Sequence, residues 1–511
     1  MTRVETRSGK LEGSTAGGLK AFLGIPFAAP PVGERRWQAP ADVVAWGGVR
    51  ELGDYAAQCW QPLVDMGPIA FASEPPASGQ SEDCLYLNVW TPGLDDRKRP
   101  VLVWIHGGSF SGGTGGSPLY EGAGLARRGD AVVVTINYRL GAFGFLNLNE
   151  ATGGRIPATG NEGLLDQTKA LEWVRDNIEA FGGDPKRVTI FGESAGGMSV
   201  GALLAFKPAA GLFHRAIAQS GACHTARDPA RAGAVGQAML DSLGIPADAS
   251  TDDLLAIHPE KLVEAGNAVT AQYGGDMIFQ PCIDGVHLSE MPIEAVKQGS
   301  ADSVPVMVGA TRDEWQLFAH MPGVEVNVDD AALEEAAATL LESPRHVIDA
   351  YRAARESRGV SADANALYSA METDRTFRMP AIRLAEALAA RGRDVFEYLF
   401  TWESPWGGGK LGSPHAIDLG FVFGTHAQSD ESAGFFGSGA AADTLSGHVQ
   451  DLWLKFASDG DPRTDALAGW QPYDPDTRST AIFGDPVSVE NDPGGAERAA
   501  WDGADAVLGT L

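Results

Sequence analysis

The sequence predicts an α/β architecture, a large and mostly parallel sheet covered by helices on both faces. Three observations carry this: short apolar runs, helical stretches alternating with them, and a length and composition able to bury a sizeable core. From residue 85 the chain reads LYLNVW, VLVWI (101–105), AVVVTINY, then the helix-like EGLLDQTKALEWVRDNIEAF, then RVTIFG. Strand and helix in alternation imply parallel strands joined by crossover helices. Further strands are expected at AIAQS (216–220), VPVMVG (304–309) and VFEYLFTW (395–402), and helices over 328–358 and 379–392, which are rich in Ala, Glu and Leu. In the first forty residues, VETRSGKLEG and LKAFLGIPF are separated by turn residues and predict a small antiparallel edge before the main sheet. No repeat, low-complexity linker or shift in composition divides the chain, so residues 1–511 are expected to form one domain with helical insertions.

The composition, 44% hydrophobic and 21% charged, is that of a globular protein rather than a disordered one. A formal charge of −28 gives an average field that repels nucleic acid and acidic membranes, and the scattered acidic residues read as a solubilising surface. The apolar runs are far shorter than the roughly 20 residues that span a bilayer. MTRVETRSGKLEG at the N-terminus lacks an apolar core followed by a small-residue cleavage site, so a cytoplasmic location is expected. Cys59, Cys84, Cys223 and Cys282 show no C-x-x-C spacing and suggest neither a disulfide scaffold nor a zinc site.

GESAG (192–196) matches Gly-x-Ser-x-Gly, in which the glycines allow a tight strand-to-helix turn that presents the serine hydroxyl. Alone the match is weak, and GMSVG (197–201) repeats the spacing around Ser199. Context separates them: RVTIFG supplies a strand before Ser194 and AGGMSVGALLAF a helix after it, whereas Ser199 would lie inside that helix. Ser194 is the candidate nucleophile and predicts the α/β-hydrolase fold.

A serine hydroxyl needs a base and an acid that orients the base, and in this fold the order along the chain is serine, acid, histidine. Of ten histidines, His320, His346, His415, His426 and His448 leave room for an acid after Ser194. His346 and His448 fall in helical stretches, and His320 follows too closely on the last plausible acid. His415, in the loop GGGKLGSPHAIDL after VFEYLFTW, is favoured over His426. Asp313 and Glu314 both lie on the loop after VPVMVG, and spacing does not separate them. HGGSF (106–110), following VLVWI, has the form of a turn whose backbone N–H groups meet an oxyanion, with a further donor from Ala195. No phosphate-loop spacing can be drawn there, so no nucleotide is implied.

The segments AFLGIPFAAPPVGERRWQAP (21–40), SEDCLYLNVWTP (81–92), VWIHGGSFSGG (103–113), NYRLGAFGFL (137–146) and 160–197 together resemble the type B carboxylesterase and cholinesterase family, in particular its bacterial para-nitrobenzyl esterase members. The resemblance weakens through 225–300 and 320–370. It implies Ser194 as nucleophile, Glu314 as acid, His415 as base, and an oxyanion hole of Gly108, Ser109 and Ala195. It also implies no cofactor or metal, a small-molecule ester as substrate, and a monomer. The family's glutamate three residues after the histidine is here Asp418, and the alanine common in the HGG turn is here Ser109. Cys59 and Cys84 match a disulfide of secreted relatives, but free thiols are expected in a reducing cytoplasm. Arg139 with Asp166 and Arg36 with Glu82 match structural ion pairs. A cholinesterase-type choline site is not expected, because the loop between Cys59 and Cys84 has Trp60 at its start and no mid-loop tryptophan.

The expected reaction is ester hydrolysis through an acyl-enzyme. Two alternatives stand beside it. The same triad could cleave amides, carbamates or thioesters, or the fold could serve as a non-catalytic binding protein, which the presence of all three triad residues disfavours.

Overall fold

The structure, a computed structural model, describes residues 2–509 apart from 64, 74, 247, 276 and 325. Among the described residues fourteen strands run in the order β1 (Arg3–Thr6), β2 (Gly9–Glu12), β3 (Ser14–Ala16), β4 (Leu19–Pro26), β5 (Val49–Glu51), β6 (Tyr86–Thr91) and β7 (Arg99–Ile105), followed by β8 (Val132–Ile136), β9 (Gly183–Glu193), β10 (Arg215–Gln219), β11 (Val306–Thr311), β12 (Val395–Phe400), β13 (Ser479–Phe483) and β14 (Ser488–Asn491). Eleven of them form one sheet in the order β14-β13-β12-β11-β10-β9-β7-β8-β6-β4-β3. Its middle, from β8 to β13, is parallel throughout, and antiparallel strands close both ends.

The uninterrupted apolar runs follow from this layering. Val101, Val103 and Ile105 of β7 pack into the core on one face, while Leu102 and Trp104 pack into the core on the other. A parallel strand covered on both sides has no solvent face, so side chains that alternate direction are all apolar. Every predicted strand is present.

Three details differ from expectation. The N-terminal edge is split: β1 and β2 pair antiparallel with each other, β2 pairs in parallel with β5, and these three form a separate small sheet. Only β3 and β4 join the main sheet. The stretch 328–358 forms two helices, Asp330–Ala338 and Pro344–Ser357, and Pro344, whose fixed φ suits a first helical position that needs no N–H donor, starts the second. The VPVMVG strand begins at Val306, after the proline, for the same lack of a donor.

Arg139, just beyond β8, is fixed to Asp166 on the helix Glu162–Asn177, with Nε and Nη2 donating at 2.7 and 2.8 Å and the backbone N–H at 3.0 Å. Both side chains are almost wholly buried, at 2% and 0% exposure. Asp166→Ala would strand a buried guanidinium and is expected to cost about 3–5 kcal/mol of stability, read by denaturant titration. A loss below about 1 kcal/mol would mean that the arginine finds water or another partner. Among the described residues no helix is long and apolar enough to cross a membrane.

The parallel strands all point their carboxyl ends the same way. β7 leads into HGGSF, β9 into Ser194, β11 into Glu314 and β12 into the loop that carries His415. The sheet therefore gathers the candidate residues, distant in sequence, along one edge.

Candidate active site

Ser194 sits between β9 and the helix Ala195–Leu203 with φ 58° and ψ −129°, a conformation that a residue with a side chain rarely adopts. The turn is possible because the helix crosses close to β7: a Cβ at Gly196 would lie 2.0 Å from the Ile105 carbonyl oxygen, and one at Gly192 2.6 Å from the Gly196 backbone. The Ser194 N–H donates to the Gln219 carbonyl at 3.0 Å, tying the turn to β10. Ser194 is half-buried and opens onto a cavity of about 950 Å³ whose walls include Ser109, Phe143, Phe279, Trp315 and Phe377. Ser199, by contrast, is fully buried in the helix and hydrogen-bonded to Gln167 Nε2 at 3.1 Å.

His415 Nδ1 lies 2.6 Å from Glu314 Oε2, and since a carboxylate only accepts, Nδ1 carries the proton in this bond. The second carboxylate oxygen accepts the Ser220 hydroxyl at 2.6 Å and the Thr311 N–H at 2.7 Å. Glu314 is wholly buried, so these three donors replace its water. The imidazole packs against both Phe318 and Phe377, which stack on each other, with ring centroids 5.0 and 4.7 Å away. Asp313 points elsewhere, toward Ser413 and Arg312. His426 is 3.0 Å from Asp443 and stacked on Phe421, and His346 and His448 lie on helices. His320 contacts the Gln316 carbonyl behind it. The geometry thus separates the two neighbouring acids that spacing left open.

One contact was not legible in the sequence. His415 Nε2 is 3.0 Å from Glu193 Oε1, while the Ser194 hydroxyl makes no hydrogen bond among the described residues. The imidazole is therefore bracketed by two carboxylates. A third, Asp418, lies fully buried nearby and accepts from Gln219 Nε2 at 2.8 Å, with Trp453 Nε1 donating to the other end of that amide. Burial, joined by the charge on Glu193, raises the Asp418 carboxyl to about 7. For His415, burial opposes the imidazolium, but Glu193 and Glu314 outweigh it and lift the group to about 10. As the candidate base, His415 must be neutral to take a proton, so kcat/KM is expected to rise with pH along an acid limb displaced above the ordinary histidine value of about 6.5. Glu193→Gln removes one flanking charge and is expected to move that limb to lower pH, as read from the pH–rate profile. An unmoved midpoint would show that Glu193 does not hold the proton on His415.

The HGGSF turn is braced from below. His106 stacks on Tyr138 at 4.4 Å, and the Tyr138 hydroxyl donates to the His106 carbonyl at 2.8 Å. Burial lowers His106 to about 4, so it is neutral. Gly108 and Ser109 take φ of 111° and 53°, and among the described residues their N–H groups find no protein acceptor. Ala195 opens its helix, so its N–H has no intrahelical partner. Cys59 and Cys84 are both buried and unbridged, and the Cys59 sulfur accepts the Leu140 N–H at 3.4 Å. Arg36 grips Glu82 through two bonds of 2.6 Å. Among the described residues no cluster of His, Cys, Asp or Glu could hold a metal ion.

The carboxylesterase family model matches residues 1–501. The chain is 39% identical to para-nitrobenzyl esterase of Bacillus subtilis (strain 168), over 97% of each sequence. It is 34% identical to the fumonisin B1 esterase of Sphingopyxis macrogoltabida, over 92% of this chain and 84% of that one. Among solved structures, the Geobacillus stearothermophilus carboxylesterase crystallised at pH 6.2 superposes with a TM-score of 0.87 at 40% identity, covering 98% of this chain and all of that one.

Proposed function

Because the chain belongs to the carboxylesterase family, we propose that Ser194, His415 and Glu314 are its catalytic triad and that Gly108, Ser109 and Ala195 form its oxyanion hole. The protein is a serine carboxylesterase, acting on carboxylic esters of small to medium size through an acyl-enzyme. The observation that carries the residue assignment is the buried Glu314–His415 bond of 2.6 Å at the same sheet edge as the strained Ser194 turn.

In this reading His415 leaves Glu193 to accept the Ser194 proton as the hydroxyl attacks the ester carbonyl. The oxyanion rests on the three N–H groups, and the alcohol departs with the proton from His415. Water then attacks the acyl-enzyme by the same route. Two oriented donors of the turn have no competing protein acceptor, which is the preorganisation that such a site requires. Residues 1–511 are proposed to act as one catalytic unit, a reading supported by a main sheet whose strands run from Ser14 to Asn491. A monomer in the cytoplasm is proposed, and four buried, unbridged cysteines fit a reducing compartment.

The test is hydrolysis of para-nitrophenyl esters of graded acyl length beside the matching para-nitroanilides. Turnover of the esters far above the anilides supports the ester reading. The reverse preference would favour the amide alternative.

A further inference from the structure

We propose that Asp313, beside the acid, is a positioning residue that holds the His415 loop in its reactive place by accepting the backbone N–H of Ser413. The proposal rests on His415 being the base.

The loop needs holding. Gly407, Gly408 and Gly409 are consecutive, exposed and at φ of 58°, 77° and 88°, and Gly412 follows at 58°. Such a segment has much conformational freedom to lose. Ala416, immediately after His415, is buried at φ 67°, a left-handed conformation that persists in a residue with a Cβ only where its surroundings impose it.

Asp313 supplies the constraint from the acid's own loop. Its carboxylate Oδ2 accepts the Ser413 N–H at 2.8 Å, while its backbone N–H donates to the Ser413 carbonyl, also at 2.8 Å. Two residues on, the His415 N–H reaches the Glu314 carbonyl at 3.3 Å. The loops of acid and base are thus laced like a short pair of strands. Arg312 orients the carboxylate through Nε at 2.8 Å and reaches Glu403, where the loop begins, at 2.9 Å. The pair Arg312–Asp313 therefore grips both ends of the loop. The fit is close: a Cβ at Gly412 would lie 2.3 Å from Asp313 Oδ2. Misplacing a catalytic group by about 1 Å can cost on the order of a hundredfold in rate, so this tie has kinetic weight although Asp313 touches no reacting atom.

The experiment compares Asp313→Ala, Asp313→Asn, Gly412→Ala and His415→Ala in the full chain, measuring kcat, KM and thermal midpoint with para-nitrophenyl butyrate. Asp313→Ala is expected to lower kcat about tenfold or more with KM within about twofold. Asp313→Asn keeps an oxygen for the Ser413 N–H and is expected to restore kcat to within about threefold of the parent. Gly412→Ala, which displaces the carboxylate and also strains a backbone at φ 58°, should fall at least as far as Asp313→Ala, and parental kcat in it overturns the clamp if Asp313→Ala does not fold. Parental kcat in Asp313→Ala, or an asparagine no better than alanine, overturns the clamp while an inactive His415→Ala leaves the triad standing. An active His415→Ala would overturn both.

Discussion

Ser194→Ala is expected to lower kcat toward para-nitrophenyl esters by about five to six orders of magnitude while the protein stays folded and still binds its ester. The size follows from what is removed. Neither neighbouring serine is placed to take over, since Ser199 is buried in its helix and hydrogen-bonded to Gln167, and Ser220 is committed to Glu314. What remains is binding and the oxyanion donors, which alone leave about 10³-fold catalysis over water. Removing a side chain from a strained turn should not harm stability. Steady-state kinetics and a thermal melt check both halves, and retention of more than about 1% of parental kcat would place the attacking group elsewhere.

Glu314→Gln is expected to cost about 10³- to 10⁴-fold in kcat with an unchanged fold. The amide has nearly the shape of the carboxylate but one acceptor where there were two. If its oxygen keeps the Ser220 hydroxyl and the Thr311 N–H, its NH₂ faces His415 Nδ1 and forces that nitrogen to accept. The proton then moves to Nε2, the nitrogen that must receive one from Ser194. If the amide is turned the other way, its NH₂ confronts the Thr311 N–H in a wholly buried site, which leaves two donors unpaired. The second arrangement keeps the His415 tautomer but is disfavoured by the unpaired Thr311 donor, so the first, with its disabled base, is expected to dominate. A loss under about tenfold would show that the orientation of His415 does not depend on Glu314.

Much of this was legible because local pattern and fold agree. The strand before Ser194 and the helix after it distinguished GESAG from GMSVG without coordinates, and the run of apolar residues in β7 announced a strand covered on both faces. The choice between Asp313 and Glu314 was not legible from spacing, since adjacent residues on a loop differ only in where the chain turns them. The structure gives them separate work, one on the imidazole and one on the backbone of its loop. Glu193 was also unreadable, because its approach to His415 joins β9 to a loop more than two hundred residues later. Ser220 carried no motif at all, and only the pairing of β10 with β11 brings it to Glu314. The split N-terminal edge was missed for a similar reason: β5 is three residues long and finds β2 across the intervening β4 segment. Sequence pattern reports local periodicity and turn chemistry, whereas these contacts are decided by which strands become neighbours.

Ser194 is proposed as the one nucleophile activated at this edge. Treatment with diethyl para-nitrophenyl phosphate, followed by intact-mass measurement and peptide mapping, tests it most directly. One diethylphosphoryl group per chain is expected, on the peptide containing Ser194, gained in step with loss of activity and absent from Ser194→Ala. Labelling at another residue, or inactivation without an adduct on that serine, would contradict it.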